Sequence, residues 1–202
     1  MVASHSARLF RFASLVALPV ALSSCTLGMR DPIPAFTGTA RSMIVLDMES
    51  ANDSASRVFQ QAALGNEAFR SRFKVIDRET LKVLLNDQKL AAVGLLNAAS
   101  VAALGKQTGA SLILKSNLNL LDARSNSGGS AKYGYYTYYT SQAEVSVSVV
   151  DVETGEVVVT ATGRGSGYDS KSSGDALRMQ AFREAAESAI DNLVRAYVKR
   201  VS

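Results

Sequence analysis

A mixed α/β fold, one β-sheet packed by helices, is predicted by three features of this 202-residue chain. Short apolar runs rich in branched residues alternate with capped amphipathic segments. Residues 143–150 (AEVSVSVV) alternate strictly between apolar and polar, and a tight-turn sequence follows them. The chain then ends in one long amphipathic stretch, residues 175–201. All three prolines precede residue 35, so from Ala35 onward none interrupts helix or sheet. The predicted order is β-α-β-α-α-β-β-β-α, a single domain with a mixed sheet.

Taken in order, residues 42–48 (SMIVLDM) are a short buried strand. Asp53 or Ser54 caps a helix over residues 55–70, with Val58, Phe59, Ala62 and Phe69 near one face. Residues 73–76 (FKVI) are a second strand. Asp77 caps a helix over residues 78–89, with Leu81, Leu84 and Leu85 on one face. Ser100 caps another over residues 101–108, which Gly109 stops. Residues 111–121 are a third strand, followed by a Gly/Ser stretch, residues 125–130 (SNSGGS).

In the strand of residues 143–150, Val145, Val147 and Val149 point one way. Glu144, Ser146 and Ser148 point the other. Residues 151–156 (DVETGE) form a hairpin loop in which Gly155 suits positive φ. The chain returns along residues 157–162. Residues 163–174 are Gly/Ser-rich and are expected to be a loop. The last helix is about 40 Å long at 1.5 Å per residue. Phe182, Ala186, Ile190, Leu193 and Tyr197 form its buried stripe. Arg178, Arg183, Glu184, Glu187, Asp191, Arg195 and Lys199 lie off that stripe, on a face expected to be solvated.

The amino-terminus is different in kind. Arg8 and Arg11 precede an apolar run of 13 residues, 12–24 (FASLVALPVALSS), too short to span a bilayer as a helix. Residues 1–24 therefore constitute a signal peptide. The run ends in Leu22-Ser23-Ser24-Cys25, which resembles a bacterial lipobox. Cys25 is the expected lipidation site, becoming the acylated first residue of the mature protein. It is the only cysteine, so no intramolecular disulfide forms. Thr26, rather than Asp, follows it, which the resemblance to Gram-negative lipoproteins associates with the outer membrane. Residues 25–41 are the acylated cysteine and a tether, and residues 42–202 are the domain.

Composition narrows the function classes. Without residues 1–24, Lys+Arg falls from 22 to 20 against 18 Asp+Glu, a net charge of +2. That balance does not suit a polybasic nucleic-acid binder. The only histidine, His5, lies in the signal segment. The mature chain then has no imidazole for a catalytic triad or a zinc site. No catalytic residue, cofactor or metal is expected. Asp47, Glu49 and Asp53 follow the first strand, and a strand end, a solvated acid and a helix cap explain them better than a cation site. The run Gly163-Arg164-Gly165-Ser166-Gly167 lacks the Gly-Lys-Ser/Thr ending of a phosphate loop.

Five of the seven tyrosines fall within seven residues: Tyr133, Tyr135, Tyr136, Tyr138 and Tyr139. A ring with a polar tip suits a membrane interface or a partner-binding surface. Lys132 is the one basic neighbour, too few for a nucleic-acid stacking platform. The alternative is a surface hairpin whose rings pair across strands.

Four stretches in order resemble the CsgG family, the periplasmic lipoproteins of curli-type secretion. They are Met43-Ile44-Val45-Leu46-Asp47; Phe73-Lys74-Val75-Ile76-Asp77-Arg78 with Leu81, Leu85 and Asp87-Gln88-Lys89-Leu90; Leu104-Gly105-Lys106 with Gly109-Ala110-Ser111-Leu112-Ile113-Leu114; and residues 147–150, Asp151-Val152 and Thr154-Gly155-Glu156-Val157. The resemblance implies a non-enzymatic lipoprotein of the outer membrane with its domain facing the periplasm. Its partners would be the bilayer through Cys25, other copies of itself and envelope assembly proteins, and its role the secretion or anchoring of a curli-like surface fibre or adhesin. The alternative is a periplasmic adaptor that regulates an envelope enzyme such as a peptidoglycan synthase.

The family's channel is built from two membrane hairpins per subunit. Residues 127–149 resemble the first. The second must fit between Val159 and Ala176, where residues 163–174 are too few for two membrane strands of about 9–11 residues. A reduced variant is therefore expected.

Overall fold

The computed structural model describes residues 32–48, 53–76, 105–169 and 174–201. The signal segment, Cys25, Glu49, the helix expected at 78–89 and the start of that expected at 101–108 lie outside the described residues. Residues Ile33–Ser202 form one unit. Its elements are β1 (Arg41–Val45), α1 (Asp53–Gly65), α2 (Glu67–Arg72), β2 (Phe73–Val75), β3 (Leu112–Ser130), β4 (Gly134–Asp151), β5 (Val157–Asp169) and α3 (Asp175–Val201). They form a five-stranded sheet in the order β2-β1-β3-β4-β5. β1 runs parallel to β2 and β3, while β3, β4 and β5 are antiparallel. The sheet is mixed, as expected from sequence.

The main core lies between one face of this sheet and the helices α1, α2 and α3. Val145, Val147 and Val149 point into it and are buried, as their alternation predicts. So are all five residues of the predicted α3 stripe, joined by Leu177, Ala181, Ala185, Ala189 and Val194. At full burial an aliphatic or aromatic side chain contributes about 1.5–3 kcal/mol, so this one helix is a principal source of stability. Phe73 joins α2 to α3, its ring 4.9 Å from Phe69 and 4.8 Å from Tyr197. A smaller cluster of Ile44, Ala110, Ile113, Val150 and Val152 occupies the opposite sheet face near β1.

Three expectations need correction. The single helix over 55–70 is two helices. Asn66 adopts an extended conformation after Gly65, and its side chain accepts the Phe69 N–H at 2.9 Å as the cap of α2. The third strand does not end at Leu121 but continues through the Gly/Ser stretch to Ser130, because the tyrosine segment pairs with it residue by residue. The expected loop at 163–174 is strand as far as Asp169.

The glycines that suggested a loop serve a different purpose. Gly163, Gly165 and Gly167 pair with Val145, Ala143 and Ser141 and share their face, towards α3. A β-carbon on Gly163 would strike the backbone of Ala185 and Ala189. One on Gly165 would strike the backbone of Ala181 and Ala185, and one on Gly167 would lie 2.8 Å from Leu177 Cδ1. Strand and helix meet backbone to backbone, and only glycine permits that approach. Gly155, with φ of 72°, closes the β4–β5 turn as predicted. The Asp151 carboxylate holds that turn by accepting the backbone N–H groups of Glu153 and Thr154. The hydrogen bond from Arg41 at 2.9 Å is the main cause holding its pKa below the ordinary carboxylate value, reinforced by those two N–H groups against the effect of burial.

Gly165→Val is expected to lower stability by about 3 kcal/mol or more, a Tm drop of roughly 6–12 °C. Arg164→Val, one residue away on the exposed face, should shift Tm far less. Thermal melting followed by circular dichroism checks the pair; equal effects would contradict the close helix–strand approach.

Candidate functional site

β3 and β4 are the two longest strands, at 19 and 18 residues. At about 3.3 Å per residue they reach roughly 60 Å, well beyond the length of α3. Their register runs from Leu112↔Asp151 to Ser130↔Gly134. The third strand of this meander stops earlier, where Asp169 pairs with Tyr139. Past that level, among the described residues, the hairpin continues as a two-stranded ribbon, Asn126↔Tyr138 to the turn at 131–133. A two-stranded ribbon is marginal by itself and needs side-chain pairs to hold it.

The tyrosines occupy this ribbon and its root, and the pleat separates them. Tyr136 and Tyr138 lie on the face turned away from α3. Their rings stack at 6.1 Å, and the ring of Tyr168 on β5 extends the row, 5.5 Å from Tyr138. The Tyr136 ring lies flat over Gly128, where a β-carbon would be 2.7 Å from its Oη. Tyr135 and Tyr139 are on the other face, and Tyr133 is in the turn with Lys132 Nζ 5.2 Å from its ring centre. Tyr133 and Tyr135 are each 81% exposed, and Tyr136 and Tyr168 remain mostly exposed. The five-residue cluster of the sequence is thus a stacked row and an exposed tip. Tyr168 belongs to the row and was missed, because its segment reads as loop; the register Thr140↔Tyr168 puts it there.

Nearer the root, the same face carries a polar network. Arg164 Nε donates to Glu144 at 2.7 Å, Asn119 Nδ2 donates to Glu144 at 3.3 Å, and Ser146 Oγ donates to Asn119 Oδ1 at 3.2 Å. The Arg164 bond, then the Asn119 bond, holds the Glu144 carboxyl below its ordinary pKa. Asp122 and Arg124 pair at 2.6 Å.

Of the acidic residues singled out by sequence, Asp47 and Asp53 are among the described residues. Asp47 is exposed and accepts Gln60 Nε2 at 3.5 Å, and Asp53 is an exposed first residue of α1. Among the described residues no group of three or more His, Cys, Asp or Glu side chains is placed to hold a metal. Nor is any helix among them long and apolar enough to cross a membrane. Residues 163–169 are consumed by β5, so the described residues contain one long hairpin rather than two.

A family model described as curli production assembly/transport component CsgG matches residues 48–200. No curated protein matches the chain. Among solved structures it is similar to lipoprotein GNA1162 from Neisseria meningitidis, at 12% identity over 69% of this chain and 91% of that one, with a TM-score of 0.44. It is similar to the LpoB C-terminal domain from Escherichia coli at 17% identity over 64% and 86%, TM-score 0.41. The PelC dodecamer from Paraburkholderia phytofirmans aligns at 14% identity over 81% and 92%, TM-score 0.42.

Replacing Tyr135, Tyr136 and Tyr138 together with Ser should leave the domain folded, because its core is made by β4 and α3. The loss is limited to cross-strand pairing at up to about 1 kcal/mol per pair. If the rings contact a partner or the membrane, native assembly should fail in the same variant. Native size and thermal melting decide: an assembly of unchanged size would contradict a contact role, and unfolding would contradict the placement of the core.

Proposed function

Since the chain belongs to the family of the curli production assembly/transport component CsgG, we propose that it is an outer-membrane lipoprotein, held by acylated Cys25, that acts without catalysis. Its domain faces the periplasm. It works by binding copies of itself or envelope assembly proteins, and it serves the secretion or anchoring of a surface fibre or adhesin. The single observation that carries this reading is the projecting β3–β4 ribbon with its exposed tyrosines. Aromatic side chains with polar tips are enriched where proteins meet partners or the membrane interface. The sequence supports the anchor: a signal segment of residues 1–24 ends at the only cysteine. Several acyl chains on one residue hold a protein far more firmly than one. The sequence supports the lack of catalysis too, because a chain mature from Cys25 has no histidine.

Two readouts on one variant test the proposal. Labelled palmitate should enter the wild type and not Cys25→Ser, because only the thiol takes the first lipid. A strain lacking the protein should lose a surface fibre or adhesin from its surface-shaved proteins. Wild type should restore it and Cys25→Ser should not. Equal labelling of both forms contradicts the anchor, and an unchanged surface profile contradicts the export role.

A further inference from the structure

We propose that the distal edge of β3 pairs antiparallel with the same edge of a second copy, about a two-fold axis at Ala123. The inference rests on the reading that this chain acts by binding other copies, and specifies how.

The edges of the sheet are not equivalent. β2 is only three residues long. On β5, α3 bonds the middle of the edge: Asn192 Nδ2 donates to the Thr162 carbonyl at 2.8 Å, and the Ser166 N–H donates to Glu184 Oε2 at 3.2 Å. On β3, β1 pairs only with Leu112, Ile113 and Leu114, and the Leu46 N–H adds one bond to the Leu114 carbonyl. From Ser116 to Ser130, no strand among the described residues lies along that flank. Asn119, Leu120 and Leu121 are exposed in succession, so both faces of the strand are open there. Leu120 and Leu121 are 45% and 41% exposed. A long open edge carrying apolar side chains is a template for another strand. A head-to-tail ring built by pairing sheet edges needs two different open edges. One open edge pairing with itself closes a two-fold dimer.

Charge selects the register. Asp122 and Arg124 lie on one face with Ala123 between them. Antiparallel pairing centred on Ala123 puts each Asp122 opposite Arg124 of the other copy, twice per dimer. The same register sets Leu121 opposite Ser125 and Leu120 opposite Asn126. Centring on Asp122 would oppose two aspartates, and centring on Arg124 two arginines, and like charges directly opposite destabilise a sheet. Backbone hydrogen bonds supply the affinity and the charges fix the alignment.

The test uses the full-length protein extracted in mild detergent. Wild type should run as a dimer. Asp122→Arg and Arg124→Asp each place like charges across the axis, and each alone should dissociate about tenfold more readily, given two reversed cross-strand pairs. Mixed together, the two variants should form a one-to-one heterodimer, because every cross-axis pair then joins an arginine of the first variant to an aspartate of the second. The ion pair within one chain predicts no such rescue. Single cysteines replacing Leu121, Ala123 or Ser125 should cross-link to themselves, most at Ala123→Cys. A cross-link in wild type would come from Cys25 and count against acylation, leaving the edge to the charge swap. A monomeric wild type, a larger ring, a mixture without heterodimer or a cross-linking maximum away from Ala123 overturns the proposal.

Discussion

The backbone-to-backbone contact between α3 and β5 is the constraint on which the rest of this structure depends. Gly163 and Gly165 face the backbone of Ala181, Ala185 and Ala189, Gly167 faces Leu177, and a β-carbon on any of the three glycines would collide with the helix. Close approach brings the flanking large residues, Phe182, Ile190 and Leu193, into full contact with Val145, Val147 and Val149 on β4. It also lets the side chains of Asn192 and Glu184 reach backbone groups of β5 and satisfy them. One packing decision thus anchors the helix, fixes β4 between two partners and covers the middle of the β5 edge.

The long hairpin follows from that platform. β4 is clamped from Tyr139 to Val150, so among the described residues only its outer end, residues 134–138, has β3 alone beside it. There the stacked rings of Tyr136 and Tyr138 continue outward from Tyr168 on β5, and the tip tyrosines remain open. A broad base with an exposed aromatic end is a geometry suited to contact. Family membership over residues 48–200 is consistent with that reading. The structure departs from a two-hairpin plan at β5, where the glycines are committed to α3.

Much of this was legible in the sequence. The strict alternation of 143–150 and the apolar stripe of 175–201 specified one face each, and both are buried as expected. What was not legible came from glycine and serine. Residues 125–130 and 163–169 have turn-like composition, yet each is strand because a partner imposes it: the tyrosine segment for the first, α3 for the second. Composition reports the local preference of the backbone, and tertiary contact overrode it. The same misreading hid Tyr168, which joins the aromatic row only through the β4–β5 register. Asn66 was hidden because a continuous apolar face runs through α1 and α2, and the cap is visible only in the backbone geometry.

Amide hydrogen exchange along β4 tests most directly whether α3 supports one part of the hairpin and leaves the other to itself. Amides of residues 143–149, opposite the glycine contact, should exchange only through global unfolding. Those of residues 134–138, in the two-stranded ribbon, should exchange many times faster through local opening. Uniform protection along the whole strand would contradict the account, as would ribbon amides that outlast those beneath α3.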